Sequence, residues 1–233
     1  MIADNLAAVR ARIDAAARTA GRRGEEVTLV AVTKEVDATQ VAEAIEAGVG
    51  DVGENRVQEL QNKQSALPDA PVRWHMIGTL QRNKVAQVVG RVTLIHSVDS
   101  VRLAEVIGRR AEAGALEQDV LLEVNAGGES SKAGVDPAEA MDVAGKLLDM
   151  KGLHLRGLMT VAPAGDPRAA RDAFRALRDL GDRLRERAPG ASELSMGMSE
   201  DFEIAIEEAA TIVRIGSAIF GARAKAHGAK ASS

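Results

Sequence analysis

The sequence predicts an α/β fold: a single (β/α)8 barrel of the TIM type with one extra N-terminal helix. Eight short runs rich in β-branched residues recur along the chain, and the stretches between them repeat apolar residues at helical spacing. A length of 233 residues with 45% hydrophobic content suits one barrel domain at least as well as two small domains. An open doubly wound sheet is the alternative arrangement for the same alternation of elements.

The first predicted element is an amphipathic helix ahead of the strands. Ile2, Leu6, Val9 and Ile13 share one face of it at helical spacing. Eight candidate strands then follow in order: VTLVAVT (27–33), VGDVG (49–53), RWHMIG (73–78), VTLIHSV (92–98), DVLLEVN (119–125), LHLRGLMTV (153–161), SELSMG (192–197) and TIVRIG (211–216).

The stretches between the strands are predicted to be helices, as the apolar spacing in 41–48 and 140–148 shows. Two of them have a marked start, because Asp136 and Asp166 each precede a proline, which is typical of an N-cap and the first helical position. Glu139 adds a carboxylate three residues after the first of these caps. Strands that alternate with helices pair in parallel through right-handed crossovers, and eight such units close a barrel.

The composition argues against several classes of partner. Charges of both signs are mixed along the chain and leave a net charge of −4, so there is no basic stripe for a nucleic acid. The sequence has no cysteine, no charged and apolar leader, and no apolar run near the roughly 18 residues of a membrane span. We therefore expect a cytoplasmic protein that binds neither nucleic acid nor membrane. One domain is expected over residues 1–224, with a disordered tail at 225–233.

A lysine stands at the end of the first strand, in AVTKEVD (31–37). The carboxyl ends of barrel strands form the rim on which active sites lie, so Lys34 is a candidate functional amine. The alternative is a solvated surface charge, which is the common role of a lysine at a strand end.

The loops after the last two strands favour the functional interpretation. In SELSMGMSEDF and TIVRIGSAIFGAR, Gly197 and Gly216 let backbone N–H groups approach an anion, and Ser199 and Ser217 add hydroxyl donors. These are also the two loops that most often build the phosphate site of a barrel. Ser199 has an alternative role as the N-cap of the helix that follows it.

A lysine that faces a phosphate site indicates Schiff-base chemistry with one of two ligands. One is a phosphosugar on a class I aldolase, and the other is pyridoxal 5′-phosphate (PLP) condensed with Lys34. Arg214 has the same side-chain sense as Gly216, so it can project into the barrel mouth and donate to a ring nitrogen. Its alternative role is an ion pair with Glu54 or Glu123.

Seven motifs, in order, resemble the pyridoxal phosphate homeostasis protein family, also called the YggS or PROSC family. The motifs are AVTKEVD (31–37), GENRVQEL (53–60), WHMIGTLQRNKV (74–85), NAGGESSKAG (125–134), GLMTV (157–161), LSMGMSEDFEIAI (194–206) and VRIGSAIFGAR (213–223).

This resemblance runs from Val27 to Arg223 and implies the barrel of fold-type III PLP enzymes, which the N-terminal domain of alanine racemase shares. It also implies roles for five candidate site residues. Lys34 would be the Schiff-base lysine, the loops at Ser199 and at Gly216-Ser217 would hold the phosphate, and Arg214 would face the pyridine nitrogen.

Asn55, Met159 and His75 are also considered as site residues. Asn55 either binds near the ring or caps the helix that follows it, and Met159 is a candidate for the floor of the pocket. His75, in mid-strand, is more simply a core histidine than a ligand. No metal site is predicted, because the acidic and histidine residues near the strands lack ligand spacing: Glu54, His75, His96 and Asp99.

The sequence predicts a PLP binder or carrier rather than an enzyme. An arginine at the pyridine nitrogen disfavours a protonated ring and so weakens it as an electron sink. Alanine racemase adds a tyrosine as second base and the ornithine decarboxylase branch adds a cysteine, whereas this sequence contains neither residue. We expect a monomer that acts in PLP (vitamin B6) and amino-acid homeostasis, with apo forms of PLP-dependent enzymes as possible acceptors. A minimal racemase or transaminase that uses Lys34 as its sole base is the alternative.

Overall fold

The computed structural model describes residues 1–128 and 133–221 and contains eight parallel strands. Each strand overlaps one of the predicted runs. In chain order they are β1 (Thr28–Val32), β2 (Asp51–Glu54), β3 (Arg73–Met76), β4 (Leu94–Val98), β5 (Gln118–Glu123), β6 (Leu153–Met159), β7 (Glu193–Ser195) and β8 (Ile212–Ile215).

The strands close into a barrel, as predicted, and not into an open sheet. Each strand pairs in parallel with the next, and β8 pairs back with β1 in a register that places Val213 beside Leu29. Parallel closure brings the carboxyl ends of all eight strands to one rim. Any side chain just beyond a strand end therefore faces a shared mouth.

Eight α-helices lie among the described residues. They are α1 (Ile2–Thr19), α2 (Ala38–Glu46), α3 (Val57–Ala66), α4 (Val101–Ala113), α5 (Ala140–Leu148), α6 (Pro167–Arg187), α7 (Phe202–Glu207) and α8 (Ser217–Phe220). Between β3 and β4 the chain forms a 3₁₀ helix, Arg82–Gln87, in place of an α-helix. No helix in the described parts of the chain is long and apolar enough to cross a bilayer.

The extra N-terminal helix is confirmed. Ile2, Leu6, Val9 and Ile13 of α1 are all buried, and the helix packs against α7 and α8. The side-chain amide of Asn5 donates to the main-chain oxygen of Ile219 at 2.9 Å. The helix therefore covers the outside of the last barrel unit, next to the loop after β8.

One predicted helix start is confirmed and the other is wrong. Asp166 caps α6 by accepting hydrogen bonds from two main-chain N–H groups, and Pro167 follows it as expected. The helix predicted from Asp136 instead begins at Ala140. Asp136 accepts from the N–H of Ala138 at 2.8 Å, so it stabilises a tight turn that precedes the helix.

The barrel interior contains a small apolar layer on which the polar residues of the mouth rest. The layer consists of buried side chains from five strands: Val30, Leu94, Leu121, Met159 and Ile212. Because strand side chains alternate, Glu123 and Arg214 point into the same interior, two residues beyond Leu121 and Ile212 respectively. The apolar layer thus ends where a buried polar layer begins.

Candidate functional site

A cavity of about 470 Å³ opens at the mouth of the barrel. Five of the seven predicted site residues line it: Lys34 after β1, Ser199 after β7, Arg214 on β8, and Gly216 and Ser217 after β8. They come together because the strand ends meet at one rim. The tertiary structure therefore brings a primary amine, a guanidinium and two serine hydroxyls to one concave surface.

Lys34 lies in a tight turn directly after β1 and is half-buried. Its neighbour Glu35 has a φ of 63°, in the left-handed region that non-glycine residues seldom adopt. The main-chain N–H of Glu35 donates to Glu59 Oε2 at 2.8 Å, which stabilises the turn. Among the residues that the structure describes, Lys34 has no ion-pair or hydrogen-bond partner, so its amine is available to a ligand.

A buried ion pair between Lys63 and Glu54 stabilises the same turn. Lys63 of α3 donates to the main-chain oxygen of Thr33 and to Glu54 Oε1, both at 2.5 Å. The Thr33 hydroxyl donates to the same Glu54 oxygen. Burial raises the pKa of Glu54, although Lys63 and Thr33 favour its ionised form. This pair was missed from the sequence. The sequence feature that could have indicated it is the spacing of Lys63, which follows Leu60 by three residues and so lies on the buried face of α3.

Ser199 links the two loops that were predicted to hold a phosphate. Its Oγ accepts from the main-chain N–H of Gly216 at 3.3 Å and of Ala218 at 3.4 Å. It does not cap the helix after it, because α7 begins only at Phe202. The hydroxyl oxygen thus occupies a position in which two amides converge on one acceptor. Since α7 and α8 have only six and four residues, the amides themselves and not a helix dipole would attract an anion.

Gly197 is needed for the loop after β7 to approach the barrel. Its φ is +93°, and a Cβ there would lie 2.6 Å from the Cβ of Ala205. Any larger residue would both strain the main chain and displace α7. This glycine therefore places Ser199 at the mouth.

Arg214 is the most buried cation of the cavity wall. Its Nη1 donates to Ser195 Oγ at 2.6 Å, and its Nη2 donates to the main-chain oxygen of Thr160 at 2.9 Å. Burial lowers its pKa to about 10, against the attraction of Glu123 and Asp201. Arg214 therefore stays charged at neutral pH. The ion pair with Glu54 or Glu123 that we considered from the sequence is not formed.

Glu123 lies in the buried layer beside this arginine, and its pKa is raised to about 7. Burial is the main cause and repulsion by Asp99 adds to it, while Arg214 partly offsets both. The carboxyl is therefore largely protonated at pH 6. Glu123 is not one of the residues that line the cavity.

This shift predicts a pH-dependent stability. Because the folded pKa of about 7 exceeds the ordinary value of 4.5, Glu123 stabilises the fold below pH 4.5, and that contribution is lost as the pH rises through 7. The parent should therefore lose about 2 to 3 kcal/mol in its free energy of unfolding from this group as the pH rises from 5 to 8. Glu123→Gln should not show this loss, because glutamine does not titrate. Urea unfolding of cofactor-free protein at both pH values measures this. Glu117→Gln, an exposed change just before β5, is the control, and parallel pH profiles of the parent and Glu123→Gln would contradict the prediction.

Asn55 and Met159 lie away from the cavity wall. Asn55 lines a separate depression of about 320 Å³ together with Arg56, Thr79 and Lys84. The other role considered for it, capping α3, is not seen, because Arg56 holds the cap position without a side-chain bond. Met159 is buried in the apolar layer inside the barrel. Contacts of either residue with a ligand stay predictions.

Comparison with known proteins gives the family. The model of the family described as "Alanine racemase, N-terminal domain" matches residues 5–224. The pyridoxal phosphate homeostasis protein of Aquifex aeolicus is 45% identical over 222 residues, 94% of this chain and 97% of that protein. A protein from Bifidobacterium adolescentis has a TM-score of 0.90 at 42% identity, with 94% of each chain covered.

A further structure is that of PipY from Synechococcus elongatus, solved with PLP bound. It has a TM-score of 0.83 at 36% identity, and the match covers 95% of this chain and all of PipY. Matches of this extent and identity show common descent of whole chains. This chain belongs to the alanine racemase N-terminal domain family and, within it, to the pyridoxal phosphate homeostasis proteins.

Proposed function

We propose that this protein binds PLP in the mouth of the barrel and acts in PLP homeostasis, without turning over amino acids at a substantial rate. One observation carries the proposal: Lys34, Arg214 and the Ser199, Gly216 and Ser217 loops line a single cavity. The bound PLP in the related PipY structure supports the choice of ligand. A phosphosugar would also suit the anion site, but no relative named above supports it.

The anion-binding end of the cavity suits a phosphate ester. The amides of Gly216 and Ala218 point at one oxygen, which is now the Ser199 hydroxyl and would be replaced or joined by a phosphate oxygen. Two carboxylates on the same wall already accept hydrogen bonds from main-chain N–H groups, which offsets part of their repulsion of an anion. Asp166 caps α6, and Asp201 accepts from the N–H of Met198 at 2.6 Å.

Lys34 would form the covalent link. PLP, when bound, supplies an aldehyde that condenses reversibly with a primary amine and releases water. Lys34 presents such an amine at the rim, in a turn supported by Lys63 and Glu59. No carboxylate would have to be displaced from the amine first, because Lys34 makes no ion pair within the described ranges.

Arg214 would orient the ring while limiting catalysis. It is a charged donor that cannot readily give up its proton, so a pyridine nitrogen beside it accepts a hydrogen bond and stays unprotonated. Carbanion chemistry then lacks its strongest electron sink. The sequence also contains no tyrosine or cysteine to serve as a second base in the manner of related enzymes. Both features support a binder rather than a racemase.

Other parts of the proposal rest on the sequence. We propose that the chain is one domain over residues 1–224, acts as a monomer in the cytoplasm, and delivers PLP to apo forms of PLP-dependent enzymes. The tail at 225–233 lies outside the described residues, as does Lys132.

Two measurements on the purified protein test the proposal. The first is deuterium exchange at the α-carbon of alanine and other amino acids in heavy water, and the second is transfer of PLP to an apo-enzyme. We expect negligible exchange together with delivery, because general acid–base help worth roughly 10² to 10⁴ in rate is missing. Rapid exchange that disappears in Lys34→Ala would instead establish the racemase. Protein that neither contains nor takes up PLP would reject PLP binding altogether.

A further inference from the structure

A line of buried polar side chains runs through the barrel from the cavity to its opposite end. Arg214 donates to Ser195 Oγ at 2.6 Å. Ser195 Oγ lies 2.8 Å from His96 Nδ1, His96 Nε2 lies 3.0 Å from His75 Nδ1, and His75 Nε2 lies 2.9 Å from Asp51 Oδ1. Strands β8, β7, β4, β3 and β2 each contribute one member. We call these five residues the polar chain.

Both ends of the polar chain carry a fixed charge. Asp51 stands at the start of β2, where Arg73 donates to its two oxygens at 2.7 Å each. Although burial disfavours ionisation, hydrogen bonds from His75 and Arg73 prevail and lower the pKa of Asp51. Arg214 at the other end is cationic. An anion that only accepts and a cation that only donates thus bracket two histidines and a serine.

These ends leave one arrangement of hydrogens in which every member is satisfied. Asp51 requires a proton on His75 Nε2, so Nδ1 of a neutral His75 must accept from His96 Nε2–H. His96 Nδ1 then accepts the Ser195 hydroxyl hydrogen, whose oxygen accepts from Arg214. If His75 were cationic, the order would reverse and the Ser195 hydrogen would lose its acceptor, because Arg214 can only donate. Burial, together with repulsion by the Arg214 cation, keeps the pKa of His96 well below its usual value.

The polar chain fixes the orientation of the Arg214 guanidinium. Ser195 takes one N–H of Arg214 and the Thr160 carbonyl takes another, which leaves three of its five N–H groups. Since Arg214 also lines the cavity, these groups are the ones free to meet a ligand. A planar group held at two points along one edge cannot rotate without breaking both bonds.

We propose that Asp51, His75, His96 and Ser195 are positioning residues, which hold Arg214 as an oriented donor to the ring nitrogen of PLP. This inference rests on the proposed function for its ligand. None of the four lines the cavity, so they would act through Arg214. Their effect should therefore depend on the presence of the ring nitrogen and not on the phosphate or the aldehyde.

The hydrogen arrangement is tested first, without any ligand. Imidazole nitrogen shifts in ¹⁵N-labelled, cofactor-free protein distinguish the two tautomers and the cation, and the sequence contains only four histidines. We expect His75 and His96 to be neutral with the hydrogen on Nε2 at pH 7. A cationic His75, or a hydrogen on Nδ1 of His96, would overturn the proposal.

The second test compares PLP with a PLP analogue that has a carbon in place of the ring nitrogen. Ser195→Ala should weaken PLP by about tenfold and the analogue by less than about twofold, because one held edge of Arg214 is released. Asp51→Asn, at the far end of the barrel, should act in the same direction. The Asp51→Asn variant also provides the test if Ser195→Ala does not fold. Asp119→Asn is the matched control, since Asp119 contacts His154 at 3.0 Å on the surface, and both affinities should stay unchanged.

The outcomes separate this inference from the proposed function. Equal weakening of PLP and the analogue would reduce the polar chain to a structural role and overturn the inference while PLP binding stands. If the parent protein binds neither ligand, the proposed function and the ligand role of the chain both fail. The histidine tautomers would still report whether the hydrogen arrangement is correct.

Discussion

Lys34→Ala is expected to abolish the covalent attachment of PLP and to weaken its binding by at least about 100-fold, or roughly 2.7 kcal/mol. Lys34 is the one predicted amine on the wall of the cavity, and the described residues offer it no other partner. Some PLP should still bind, because the phosphate loops and Arg214 are untouched. Borohydride reduction of the complex followed by peptide mapping locates the attachment. Absorbance titration measures the remaining affinity.

The matched control is Lys84→Ala. Lys84 lines the separate depression beside Asn55 and should leave both attachment and affinity unchanged. Reduced cofactor on Lys84 or Lys132 of the parent protein would show that the assignment of Lys34 is wrong. Thermal unfolding checks that the variant folds. Lys34 lies in the turn that Lys63 supports through the main-chain oxygen of Thr33, and alanine should leave that support intact.

Ser199→Ala combined with Ser217→Ala is expected to weaken PLP far more than pyridoxal, which lacks the phosphate. A hydrogen bond to a charged group contributes roughly 1.5 to 3 kcal/mol, so losing both donors should cost about two to four orders of magnitude in affinity. Ser199 alone should have the smaller effect. Its removal also frees the amides of Gly216 and Ala218, which can then turn fully to the phosphate.

Fluorescence or absorbance titration with both ligands measures this discrimination. Ser100→Ala is a suitable control, because Ser100 caps α4 by accepting from Leu103 N–H at 3.3 Å. Losing that cap should reduce stability by about 1 kcal/mol without changing the preference for the phosphorylated ligand. If the double variant weakened PLP and pyridoxal equally, the phosphate would have to bind elsewhere.

The barrel and its mouth were predictable because the relevant signals are local. Alternation of β-branched runs with helical spacing identifies eight strands, and parallel closure then sends every strand end to one rim. Lys34, Ser199, Arg214, Gly216 and Ser217 could therefore be assigned to one cavity from their positions just before or after strand ends. The exact start of a helix was less certain, as Asp136 shows, since an Asp-Pro pair suits a tight turn as well as a cap.

What the sequence by itself determined is the fold, the family and the rim residues of the cavity. Only the tertiary structure decided which buried side chains meet. The contacts among His75, His96 and Ser195 join three different strands. They depend on the register and closure of the barrel, which no local spacing in the sequence indicates. Lys63 likewise reaches Thr33 across 30 residues. A buried polar group without a hydrogen-bond partner costs its full desolvation free energy. The residue that serves as this partner can be identified only from the tertiary structure.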